Sequence, residues 1–133
     1  MIGNKGASYI LRIQRDELER QLHSLRVLYV SIKRDWLFST KLLFLRKNAF
    51  IGSGIIHRFI PLGELREEEK KICLEKNYYG KIEFAILVRF YPSVALEGTS
   101  IAGRNILGLH GASLPYSDAV QIERLAKSKL IVY

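Results

Sequence analysis

The sequence predicts an α+β domain, a small and mainly antiparallel β-barrel with about three flanking helices. Three observations lead there. Residues 81–91 alternate with strand periodicity, setting Ile82, Phe84, Ile86, Val88 and Phe90 on one face and Lys81, Glu83, Leu87, Arg89 and Tyr91 on the other. Three stretches, near residues 15–25, 64–76 and 117–127, carry helix-start signals or apolar stripes at helical spacing. The short strands between them are too many for a helical bundle and lack the βαβ regularity of a parallel sheet.

In chain order, Ser8–Ile13 reads as a short opening strand. Asp16 and Glu19 have the spacing of a capping box, and Leu18, Leu22 and Leu25 form one stripe, predicting a helix over residues 16–25. Val27–Lys33 alternates, with Leu28, Val30 and Ile32 on a common face. Lys41–Arg46 is apolar on both faces at its centre, and Lys47-Asn48 turns the chain into a second run over Ala49–Ile60, making a hairpin. Gly52-Ser53-Gly54 would weaken a flat strand and instead suits a bend or bulge. After Pro61-Leu62-Gly63, residues 64–76 place acids first and lysines after, as the helix dipole prefers, on a thin stripe of Leu65, Ile72 and Cys73. Val94–Leu96 and Asn105–Leu109 read as shorter strands around a Gly/Thr/Ser loop. Ser117 caps a last helix with Ala119, Ile122, Leu125 and Ala126 inward, and Leu130–Tyr133 is a terminal strand.

A chain of 133 residues has the size of one domain, and 48% hydrophobic content gives it a core. We therefore expect a single domain over residues 1–133. The longest apolar runs, Leu42–Leu45 and Phe84–Val88, fall far short of the ~20 residues of a membrane-spanning helix. Met1–Gly6 lacks the apolar stretch of a secretory signal, so a cytoplasmic location is expected. The lone Cys73 allows no disulfide within the chain, and His23, His57 and His110 are too scattered for metal-ligand spacing, so neither metal nor cofactor is expected.

The charge is one-sided and local. The net charge is +8, and residues 1–60 hold 11 Lys/Arg against 4 Asp/Glu, whereas residues 61–133 hold 10 against 9. Between Arg20 and Ile60 the single acid is Asp35. Such a field draws a polyanion, most simply a nucleic acid, although an acidic protein or an anionic lipid surface would respond as well.

The run Ile51-Gly52-Ser53-Gly54-Ile55-Ile56, the long strand 81–91 and the ending Gly108-Leu109-His110-Gly111-Ala112-Ser113-Leu114-Pro115 before a short helix together resemble the PUA-like superfamily. That superfamily comprises small RNA- or modified-base-binding barrels, including the EVE and ASCH domains, and the likeness is greater to its archaeal members. It implies a PUA-like barrel and an RNA ligand. The Gly-x-Lys-x-x-Glu-x-Arg signature of ASCH domains does not occur, so no catalytic or base-reading residue carries over.

The leading candidate constellation is the basic stretch with interleaved aromatics: Tyr29, Lys33, Arg34, Trp36, Lys41, Arg46, Lys47 and Arg58. Lysine and arginine neutralise phosphates while tyrosine or tryptophan offers a stacking surface. Trp36 can alternatively pack in the core. A second candidate is a pocket at one rim formed by Arg104, His110 and Ser113, with Glu97, Thr99 and Ser100 nearby. There His110 would be the acid or base, and Arg104 the anion holder, of a small enzyme acting on a nucleotide or RNA phosphodiester. Gly3-Asn4-Lys5-Gly6 and Gly108-Leu109-His110-Gly111 match the four-residue backbone-gripping loop of KH domains without its helical context. Cys73 reads as a small buried hydrophobe. The expectation is an RNA-binding module; its rivals are that enzyme and a scaffold subunit meeting an acidic protein.

Overall fold

The computed structural model describes residues 7–13, 27–105 and 108–131. Within them lie strands β1 (Ser8–Arg12), β2 (Val27–Val30), β3 (Lys41–Arg46), β4 (Ala49–Pro61), β5 (Gly80–Ala95) and β6 (Ser128–Ile131), with helices α1 (Glu67–Lys76) and α2 (Tyr116–Leu125). The first predicted helix lies outside the described residues, so two of the three are seen.

The strands form one sheet in the order β1-β3-β4-β5-β2, with β6 also pairing with β5. All pairs are antiparallel except β1 with β3, which are parallel. Among the described residues no ladder joins β1 to β2. The sheet is therefore an open, curled half-barrel, in keeping with the small, mainly antiparallel barrel-like α+β fold expected from the sequence. The outer edge of β1 is covered instead by a bridge between Tyr9 and Ser113 and by backbone bonds from Leu114 to Ser8 and from Ile10 to Ala112.

The both-sided apolar pattern of β3 has a direct counterpart in the packing. Leu43 and Leu45 enter one core with Ile10, Phe50, Phe90 and Val94, on which α2 lays Ala119 and Ile122. Leu42 and Phe44 enter a second core, inside the curl, with Leu11, Leu28, Val30, Trp36, Ile56, Ile82, Phe84 and Leu87. Each fully buried leucine or phenylalanine contributes roughly 1.5–3 kcal/mol relative to exposure, so β3 anchors the fold on both sides.

Register irregularities bend the long strands. Ile55 pairs with Ile86 but Ile56 pairs with Phe84, leaving Ala85 as an extra residue on β5. The bulge reverses the alternation, so Leu87 is buried and Ile86 is 44% exposed. This corrects the single face expected for Ile82, Phe84, Ile86, Val88 and Phe90. Gly52 marks a close approach: a Cβ there would lie 2.2 Å from the carbonyl oxygen of Val88. The bend expected at the Gly-Ser-Gly run is thus met by backbone pressing on backbone.

Other boundaries shift. β2 stops at Val30, and residues 62–64 form a separate 3-10 turn before α1 begins at Glu67. The expected strand at Val94–Leu96 is the end of β5 followed by a 3-10 turn. Of the strand expected at 105–109, the described residues instead turn, with the Gly108 N–H closing on the Asn105 carbonyl at 3.0 Å. The N-cap of α2 is Pro115, and Ser117 lies within the helix rather than capping it.

Candidate nucleic-acid interface

Because the sheet curls, β1 and β2, the two ends of its strand order, face each other. The seam between them holds a pocket of about 80 Å³, walled by Leu11–Ile13 at the end of β1, Leu28–Ile32 on and after β2, Tyr78, and His110. Among these walls the polar groups are Arg12, Tyr29, Ser31, Tyr78 and His110. A larger groove of about 420 Å³ lies beside Ala7, Tyr9, Asp35, Leu37, Phe38, Ser39 and Thr40, and its one charged lining residue is acidic. The seam therefore suits a polyanion and that groove does not.

Three segments are tied together at the seam. The Arg12 backbone N–H donates to Nδ1 of His110 at 3.0 Å. The guanidinium of Arg34 donates through Nε to the Gly111 carbonyl at 2.7 Å and through a terminal nitrogen to the Lys33 carbonyl at 2.6 Å. The Lys33 ammonium sits 5.1 Å from the centroid of the Tyr79 ring, a cation–π contact. Arg12, Lys33 and Arg34 thus flank one pocket, and among the described residues none is ion-paired with a carboxylate.

The tyrosine wall is built by α1. That helix ends at Asn77 in the left-handed conformation, φ 58°, and the Tyr78 N–H bonds back to the Cys73 carbonyl at 2.9 Å. Tyr78 is thereby turned toward β2, where its ring stacks on Tyr29 with centroids 5.7 Å apart and planes 17° apart. The Tyr29 hydroxyl donates to Oε2 of Glu69 at 3.0 Å. Burial first, and then that bond, push the Tyr29 phenol up to about 12, so it stays protonated. Glu69 is held below the ordinary carboxylate value chiefly by its hydrogen bond from Lys81. Cys73 is fully buried, and burial pushes its thiol up, which fits the inert role expected from the sequence.

The sequence candidates divide. Tyr29, Lys33, Arg34 and His110 are at or beside the seam. Trp36 is 5% exposed and donates through Nε1 to the Ile32 carbonyl at 3.1 Å. Of its two readings the core one holds, and it offers no stacking surface. Lys41 is ion-paired with Glu123 of α2, and Arg58 with Glu83 at 2.5 Å. Arg46 and Lys47 stand at the β3–β4 turn, opposite residues 94–95 of β5, whereas β2 pairs with residues 80–83. Those two ends lie on the order of 40 Å apart along the strand, so the eight residues do not form one face.

The rim candidates are dispersed, with His110 alone of the three lining the seam pocket. Neither Arg104 nor Ser113 lines the seam with His110. Ser100 bonds to Asp118 and Gln121, and Thr99 to the Leu96 carbonyl, so the loop of Glu97, Thr99 and Ser100 packs on α2 instead. Of the two KH-like loops, the second contributes His110 to the seam and the first lies outside the described residues. Sequence reasoning missed Arg12 and Tyr78. The tyrosine doublet after Asn77, a residue that tolerates the left-handed turn, was the readable signal for Tyr78; Arg12 had none, its partner being 98 residues away. Among the described residues no three of His, Cys, Asp and Glu are placed to hold a metal, and no helix is long and apolar enough to cross a membrane.

Fold and site together define an open α+β half-barrel with an aromatic, cation-flanked pocket at its seam. No family model and no curated protein sequence matches the chain. Among solved structures it is similar to the crystal structure of the Pho92 YTH domain in complex with m6A, with 9% identity and a TM-score of 0.48, over 96% of this chain and 87% of that one. None of these comparisons places the chain in the PUA-like superfamily that its sequence resembles.

Proposed function

We propose that this protein is a nucleic-acid-binding module that prefers RNA, and that the seam pocket is where it binds. One observation carries the reading: Arg12 at the end of β1 and the adjacent Lys33 and Arg34 after β2 flank a pocket walled by Tyr29, Tyr78 and His110, and none of the three cations has a carboxylate partner among the described residues. Cations with no carboxylate partner among the described residues, set around an aromatic wall, favour a ligand with phosphates and a π-face, since base stacking on such side chains is worth ~1–3 kcal/mol per base. The resemblance to RNA-binding barrels favours RNA over DNA by analogy. Lys41 and Arg58, already neutralised by carboxylates, contribute little.

The test is a salt series of binding to labelled single-stranded RNA, with single-stranded DNA as competitor. Three phosphate contacts give a log-log slope of about −2, and Lys33→Gln with Arg34→Gln reduces its magnitude by about 1–2 while weakening all sequences alike. Absence of measurable affinity at low salt in the wild type removes this reading.

A further inference from the structure

Helix α1 buries one side chain, Cys73, and also carries Glu69, whose carboxylate bonds to the pocket tyrosine Tyr29. Glu69 accepts from the Tyr29 hydroxyl at 3.0 Å and from the Lys81 ammonium at 2.6 Å through the same oxygen, Oε2. Its other oxygen accepts from Arg66 at 3.4 Å. The side chains of Glu69 and Lys81 are only 13% and 15% exposed, so the carboxylate is partly desolvated. Partial burial of a charge is costly unless each lone pair is used, and here the third neighbour is the pocket tyrosine.

Tyr29 is consequently braced twice. Its ring lies on Tyr78, which follows the C-terminal turn of α1, and its hydroxyl is anchored on Glu69, which lies within α1. The Lys81 ammonium, from the β5 segment that pairs with Tyr29 itself, keeps the carboxylate ionised and therefore a strong acceptor. We propose that Glu69 is a positioning residue of the seam site, which fixes the Tyr29 ring in the orientation that meets a base. This rests on the nucleic-acid reading of the seam. Its distinctive content is that a side chain of α1, not of the sheet, sets affinity without touching the ligand.

The alternative is that Glu69 only staples α1 to β5 through Lys81. A double-mutant cycle separates the two. Affinity for one single-stranded RNA is measured for wild type, Tyr29→Phe, Glu69→Gln and the double variant, well below each melting temperature, with the emission of the single buried tryptophan, Trp36, reporting the fold. Each single change is expected to weaken binding roughly 3- to 10-fold, as loss of one hydrogen bond does, with the salt slope unchanged. The double variant is expected to be no weaker than the weaker single one. Multiplying losses, or wild-type affinity in Glu69→Gln, overturns the inference. Should Glu69→Gln lose the native Trp36 emission, Tyr29→Phe decides alone, because it keeps the ring and the Glu69–Lys81 pair; wild-type affinity there also overturns it. A wild type that binds no RNA sinks the functional reading and this inference with it, whereas a binding wild type with indifferent variants sinks only this one.

Discussion

The guanidinium of Arg34 donates from Nε to the carbonyl oxygen of Gly111 at 2.7 Å, joining segments 77 residues apart. The contact requires Gly111 to hold its carbonyl where it is, and Gly111 does so with φ at 75°, a left-handed conformation. A Cβ there would also lie 2.9 Å from two carbons of Ile32.

Gly111→Ala is therefore expected to destabilise the protein by roughly 1–3 kcal/mol, from backbone strain and overpacking together. A urea titration reads it as a lower midpoint at unchanged slope. A midpoint equal to that of wild type would show that the turn relaxes freely and that Arg34 does not depend on it.

Trp36→Ala is expected to cost about 3–5 kcal/mol, the range for removing a large aromatic from a core. Tyr9 loses its edge-to-face partner in the same change, the rings being 5.3 Å apart at 68°. Thermal melts report the loss. RNA affinity, measured where the variant is still folded, stays near that of wild type because the indole does not line the seam.

The carboxylate of Glu69 carries a pH dependence whose sign is fixed. Its folded value lies below the ordinary 4.5, first because Lys81 donates to it. The stability it contributes is complete above 4.5 and drains away as the pH falls through the lower, folded value. Wild type and Glu69→Gln are thus expected to differ most at neutral pH and to converge in acid. Urea midpoints measured from neutrality down through the carboxylate range check this; a gap that is constant across the range would contradict it.

Arg46→Gln with Lys47→Gln is expected to change the salt slope of RNA binding less than Lys33→Gln with Arg34→Gln. All four residues are basic and lie close in sequence, but only the second pair flanks the seam. Equal effects of the two double variants would mean that a nucleic acid runs along the whole of β4 rather than across the seam.

The parts of the fold that depend on local pattern were legible. The hairpin of β3 and β4, the helical character of α1 and α2, and the two-sided burial of Leu42–Leu45 all follow from spacing over a few residues. What was not legible depends on partners distant in sequence. A bulge at Ala85 leaves no compositional mark, and it alone exposes Ile86 and buries Leu87. Residues 105–109 are apolar enough to look like a strand, but no neighbouring strand receives the described ones. The basic residues were legible as charge but not as a site, because carboxylates on β5 and α2 neutralise Arg58 and Lys41 while Arg12 arrives from the first strand.

Since adjacent residues of β3 root in opposite cores, the sheet is a shared wall that neither core can abandon separately. The amides of β3 and β4 should exchange with solvent deuterium only when the whole domain unfolds. Helix α1, with a single buried side chain, should open on its own at much lower free energy. The brace on Tyr29 thus belongs to an element that opens before the sheet does, so occupancy of the seam should slow exchange in α1, far along the chain from the cations that flank the pocket.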